Sequence, residues 1–293
     1  MRLFSLMLAL CGTMLAASTT PIPQDAKPEL LVVSERTGNA EVFLINADGS
    51  EPKNLTLSNC FNSFPCWSPD GQTIAFVSDF DGCMNIYTMN ASGNNTKQLT
   101  KSKKPTLHPS WSPDGKQIVF SRNIKGGPHV FIMDADGENE KLIMAKAADP
   151  TWSPDGKKIL FASDRSGVGV RVYVMDVDGA NVIELTFNTN KRGHTFPAWS
   201  PDGKKIAWAD LAGEDLEIFV ADADGRNAKQ LTMLGGINTY AAWSPDGKKL
   251  AFHHSEANQA GALYVMDADG GNQRVLLNNE TKIRGGYPAW RPK

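Results

Sequence analysis

The sequence predicts an all-β fold, a six-bladed β-propeller of four-stranded antiparallel blades closed by the C-terminal strand. Three observations carry that prediction. First, Trp-Ser-Pro-Asp-Gly stands at Trp67, Trp111, Trp152, Trp199 and Trp243, with a clipped Trp290-Arg291-Pro292, at steps of 44, 41, 47, 44 and 47 residues. A period of that size marks stacked or radial units, each too small to bury its own apolar face. Second, each unit reads as two hairpins, and no repeat carries helical periodicity over ten or more residues. Third, the ends are complementary. Glu29–Ser34 aligns with a second strand (Ile74–Ser78), and Tyr287–Trp290 aligns with a first strand, so the last segment can complete the first blade and remove an exposed edge.

Within a unit, the first strand ends on Trp. The Ser-Pro-Asp-Gly turn follows, with proline presetting φ, Asp bonding local backbone and Gly taking a left-handed conformation. The second strand is a run such as Lys157–Ser163. The third and fourth, Val172–Met175 and Val182–Thr186, flank the turn Asp176–Gly179. The repeat tryptophans read as packing: each buries roughly 150–250 Å², on the order of 4–6 kcal/mol gross. Trp208, at the position of Phe76, Phe120, Phe161 and Phe252, reads as core too.

Ser163–Gly167, Val172–Gly179, Leu231-Thr232 and the Trp-Ser-Pro-Asp-Gly turns together resemble the propeller repeats of the TolB family over residues 29–293. The resemblance implies a six-bladed periplasmic propeller that binds a peptidoglycan-associated lipoprotein and serves the Tol envelope system. The family carries an α/β domain ahead of its propeller. Here only residues 18–28 separate a leader from the first strand, so a propeller without that domain is expected.

Residues 1–17 read as a secretory leader, with Arg2, an apolar run from Leu3 to Leu15 and small residues near Ala17; the run is short for a membrane span. Residues 18–28, with Pro21 and Pro23, read as a linker. Periplasmic or secreted localisation follows, with no transmembrane segment and a monomeric state expected. Of 293 residues 41% are apolar, ample for a core, and the formal charge is −2. No basic excess exists to drive phosphate contacts, so nucleic acid is not an expected partner. Export leaves Cys60, Cys66 and Cys83 in the mature chain. Cys66, beside Trp67, reads as a buried free thiol, while loop residues Cys60 and Cys83 are placed for a disulfide.

The Ser-Pro-Asp-Gly and Asp-Gly turns share one rim and barely vary. The opposite rim carries loops that do vary, Ser121–His129, Ser163–Arg171, Thr186–Phe196, His253–Ala262 and Leu277–Tyr287, and function is expected there. Three residues before each Trp stand Phe64, His108, Asp149, Phe196, Tyr240 and Tyr287, expected to ring the channel mouth as a peptide- or sugar-binding surface or as a channel plug. Arg165, Arg192, His194, His253 and Arg284 lie in loops of the same rim. The Asp-x-Asp-Gly runs lack the further ligands of a calcium loop and read as turns. No cofactor is expected, although His108, His194 and His253 could converge on a divalent ion in the channel. No catalytic motif is present. A non-enzymatic binding scaffold is therefore expected, its partner a protein or peptide such as an envelope lipoprotein. The alternative is a metal-assisted polysaccharide lyase or hydrolase of the oligogalacturonate lyase type.

Overall fold

The computed structural model describes residues 28–186, 193, 195–256, 259–283 and 286–293. The expected leader and residues 18–27 of the expected linker lie outside them. Twenty-four strands and one short 3-10 turn, Asn279–Thr281, make up the described secondary structure. None of its helices is long and apolar enough to cross a membrane.

The first blade is the one that closes the ring: Ala289–Trp290, Glu29–Ser34, Glu41–Asn46 and Lys53–Asn54 pair in that order. The second is Asn62–Trp67, Thr73–Ser78, Asn85–Asn90 and Lys97–Gln98. The third runs Thr106–Trp111, Gln117–Ile124, Gly127–Asp134, Lys141–Met144, and the fourth Ala148–Trp152, Lys158–Ser163, Arg171–Asp176, Ile183–Glu184. The last two units are hydrogen-bonded into one eight-stranded sheet. Thr195–Trp199, Lys205–Ala212, Asp215–Asp222 and Lys229–Gln230 meet Ile237–Trp243, Lys249–Ser255, Ala262–Asp267 and Arg274–Leu277 through one parallel rung, Leu216 to Ile237. Hydrogen bonding alone thus isolates four single blades and one double one. Divided at that rung, the double sheet yields the six Trp-centred units expected.

The core confirms the circular order. Six apolar clusters fill the seams, each drawing on two neighbouring blades: Leu31, Trp67 and Phe76 between the first and second, Val119, Trp152 and Phe161 between the third and fourth. The cluster of Leu30, Val32, Leu263 and Leu277 joins the sixth blade back to the first. Trp208 is buried against Phe219, as core.

Each Ser-Pro-Asp-Gly turn repeats one set of bonds. In the fourth blade the Ser153 hydroxyl donates to Asp155 (2.6 Å) and accepts the Lys158 amide (2.9 Å), while the Gly156 amide donates to the Ser153 carbonyl (2.9 Å). The serine bond, aided by the Lys157 amide, holds the Asp155 carboxyl below the usual carboxylate range. The second turn of each unit ends on a glycine pressed against the preceding blade. A Cβ built on Gly225 would stand 2.0 Å from the Leu185 carbonyl oxygen, so only glycine fits there.

Closure is made by the pairs Leu30–Trp290 and Leu31–Ala289. Arg291 secures it: its amide donates to the Glu29 carbonyl (2.9 Å) and its guanidinium pairs with the Glu29 carboxylate. The same guanidinium donates to the Gly71 carbonyl (2.7 Å) and lies 4.8 Å over the Trp67 ring.

All three cysteines of the described residues are half-buried. Cys66 is a half-buried free thiol, its pKa pushed up to about 12 by desolvation. Cys60 and Cys83, expected as a disulfide, stand as free thiols in this structure. Cys60 sits in the network of Ser58 and Asn62 that faces Glu41 of the first blade, whereas the Cys83 carbonyl accepts Asn85, which also bonds Ser102 toward the third.

Candidate functional site: an aromatic ring at the channel mouth

Phe64, His108, Asp149, Phe196, Tyr240 and Tyr287 share one unusual backbone state. Their φ angles are 50°, 53°, 52°, 55°, 56° and 39°, all left-handed, a region costing a non-glycine residue about 1–2 kcal/mol. The cause is a bulge. Pairing with the second strand skips from Ser63 to Cys66, Leu107 to Ser110, Ala148 to Thr151, Thr195 to Ala198 and Thr239 to Ala242. In five of six cases the next residue is proline (Pro65, Pro109, Pro150, Pro197, Pro288), which has no N–H for the ladder and is accommodated in a bulge. The bulge re-aims six side chains toward one centre.

The structure brings them into contact. Ring centroids lie 4.2 Å apart for Phe64–His108 and Phe64–Tyr287, 4.4 Å for Tyr240–Tyr287, 3.8 Å for Phe196–Tyr240 and 5.8 Å for His108–Phe196. Asp149 fills the gap between His108 and Phe196. Its carboxylate stands 3.0 Å from His108 Nδ1 and accepts the Phe196 amide at 3.3 Å. All six side chains are half-buried. They cap a cavity of about 450 Å³ whose walls include Trp67, Trp152 and Trp243 and which reaches Pro69 and Pro154 at the turn rim.

The electrostatics are those of a neutral plug with one carboxylate. Burial lowers the His108 pKa, only partly opposed by Asp149, so the imidazole is neutral at neutral pH. With Nδ1 facing Asp149 and Ser121 Oγ (3.2 Å), the proton belongs on Nδ1, and Nε2 is a buried acceptor with no protein partner. Burial, then the Tyr287 hydroxyl, pushes the Tyr240 phenol far above its ordinary value.

The other expected residues stand apart from this ring. Arg165 lies 4.8 Å over Phe161 and donates to Ser163 Oγ (3.1 Å) and the Ala145 carbonyl (3.2 Å). His253 is buried, with neither ring nitrogen hydrogen-bonded, and packed under Gly261 and Gly286. His194, Arg192 and Arg284 lie outside the described residues. Among the described residues no group of three or more His, Cys, Asp or Glu could hold a metal ion.

Sequence reasoning missed the apolar side chains around the ring. Leu57 (80% exposed), Phe80 (68%) and Met233 (81%) stand in loops of the same rim. Their signal was present: large apolar residues in segments that belong to no strand.

A sequence profile for the TolB beta propeller domain matches residues 21–142, 98–196 and 188–292. Comparison with curated proteins gives no match. Among solved structures, TolB from Acinetobacter baumannii has a TM-score of 0.81 at 27% identity, over 91% of this chain and 67% of that one. A TolB candidate from Agrobacterium tumefaciens (TM-score 0.71, 20% identity, 91% of this chain and 99% of that one) shares the fold. So does hydrazine synthase from Kuenenia stuttgartiensis, at TM-score 0.71 and 17% identity, over 90% of this chain and 46% of that one.

Proposed function

This chain belongs to the TolB beta propeller domain family, and from that premise we propose that it is a non-enzymatic scaffold, exported to the periplasm, that binds a protein or peptide at the aromatic ring. The observation that supports this most is the convergence of four aromatic side chains, one imidazole and one carboxylate at a single mouth. Rigid aromatics around a single charge suit a peptide: they offer large apolar area at small entropic cost, and Asp149 selects a donor or cation. The exposed apolar Leu57, Phe80 and Met233 stand in loops of the same rim. An envelope lipoprotein is the proposed partner, as the family resemblance implies.

Calorimetric titration with the soluble domain of a peptidoglycan-associated lipoprotein tests the reading. Tyr287→Ala and Phe64→Ala are expected to weaken binding by about thirtyfold or more, the size of an interface hot spot, while Ser153→Ala on the opposite rim leaves it unchanged. Binding that is indifferent to both ring variants would overturn the assignment. Elemental analysis addresses the metal-assisted lyase reading: a stoichiometric divalent ion in the purified protein would favour it.

A further inference from the structure

A second cavity, of about 670 Å³, opens off the channel between the fifth and sixth blades, at the rim of the Ser-Pro-Asp-Gly turns. Repeat geometry alone does not account for its width. At the five matching contacts between other blades, a Cβ on the glycine (Gly49, Gly93, Gly137, Gly179 or Gly225) would meet the facing carbonyl oxygen at 2.8, 2.6, 2.8, 2.5 and 2.0 Å; at this seam a Cβ on Gly270 would meet the Leu231 carbonyl at 3.1 Å, the widest of the six. A strut holds the gap. Gln273 Nε2 donates across the seam to the Leu231 carbonyl (2.8 Å) and back to the Gly270 carbonyl (3.0 Å). The equivalent residues of the other blades are Pro52, Thr96, Glu140, Val182 and Ala228. On the opposite rim the same two blades are fastened by the Leu216 amide to the Gly236 carbonyl (2.9 Å). The pair is pinned at one rim and propped apart at the other.

The lining has two characters. Val220, Leu231, Trp243 and Ala268 supply an apolar floor, and Asp202, Asp246, Asn227, Lys205 and Lys229 supply a polar wall. Lys205 is already bonded to Asp222 (3.2 Å) and Lys229 to the Asp269 carbonyl (3.1 Å), so neither ammonium is a bare charge awaiting an anion. Asp202 and Asp246 each engage one oxygen in their own turn, through Ser200 and Ser244; the second oxygen of Asp202 faces the exposed Lys204 ammonium at 3.9 Å and, like that of Asp246, keeps lone pairs able to accept. Acceptors and donors thus both border an apolar patch, three aspartates against two lysines.

We propose that this seam is a binding site for a neutral saccharide, a mono- or disaccharide or the end of a glycan chain. A pyranose offers a C–H face for the Trp243 side and hydroxyls, each donor and acceptor, for the carboxylate and amide wall. The volume lies within the range of small-molecule sites.

The test uses the full chain, isotopically labelled, titrated with maltose and separately with N,N′-diacetylchitobiose to about 50 mM, enough to saturate a site with a Kd of about 1 mM. Saturable shifts of the Trp243 indole N–H and of the Gly247 and Asp269 amides, with Phe64 and Tyr287 unmoved, are expected. Ala268→Phe, which fills the cavity, should abolish those shifts, and Gln273→Ala, which removes the strut, should weaken them about tenfold. If Ala268→Phe does not fold, the wild-type titration decides alone. Absence of saturable shifts with both sugars, shifts confined to the ring, or equal shifts with inorganic phosphate or glycylglycine would overturn the proposal. An insoluble glycan that retains the protein when both free sugars bind points to a chain end as the natural ligand and supports it.

Discussion

At one rim of this propeller five serine hydroxyls donate to five aspartates at 2.5–2.7 Å, and the residues that make the bond are the same each time. At the other rim six residues hold the same left-handed φ, yet they are two phenylalanines, two tyrosines, a histidine and an aspartate. The turn rim repeats chemistry; the ring repeats only geometry. A backbone that costs the same at every blade leaves the side chain free to differ, and a position free to differ inside a fixed frame is where recognition can be written. The contrast can be broken or sharpened by substitution.

The largest effect is expected from removing a repeated element. Trp152→Ala should lower stability by about 3–5 kcal/mol, read from the urea midpoint, because a seam loses a buried indole and gains a cavity. Acid should come next. His253 has its pKa pushed down to about 4 from 6.5, by burial first and then by His254. The folded state therefore binds that proton less readily than the unfolded one. The stability it contributes is complete above pH 6.5 and is lost as pH falls toward 4, a change of about 3 kcal/mol. Urea midpoints measured across that window should fall more shallowly for His253→Leu than for wild type. Ser153→Ala should cost about 1 kcal/mol, for one hydroxyl that both donates and accepts. The smallest change should come from Asp149→Asn. Global stability should hardly move, but the His108 pKa, which Asp149 now raises against burial, should fall further, as an NMR titration of its ring protons would show.

Much of this was legible before any coordinates. Repeating tryptophans and turns fixed the blade unit because one local bond pattern recurs with one sequence, and closure could be read from the complementary ends. The six ring positions were also legible, by their constant offset from Trp. Their backbone state was not: a residue before proline is ordinarily extended, and nothing about Phe64 or Asp149 announces a positive φ. Gln273 was equally silent, since an amide acts as a strut only when carbonyls of two blades stand within its reach. The surroundings of Cys60 and Cys83 were silent in the same way. Neighbouring loops were inferred from topology, but the side-chain bonds within each loop, through Ser58 and through Ser102, leave no periodic trace.

The clasp of Arg291 on Glu29 spans 262 positions of chain. On a ribosome the strand at Leu30 emerges long before the Trp290 that will cover it, and throughout that interval it presents an unpaired edge able to recruit another strand. Contacts so distant in order make folding slow. The unclosed chain thus has a prolonged window of vulnerability to aggregation, and a chaperone that shields the first strand until Trp290 docks on it should raise the yield of folded protein.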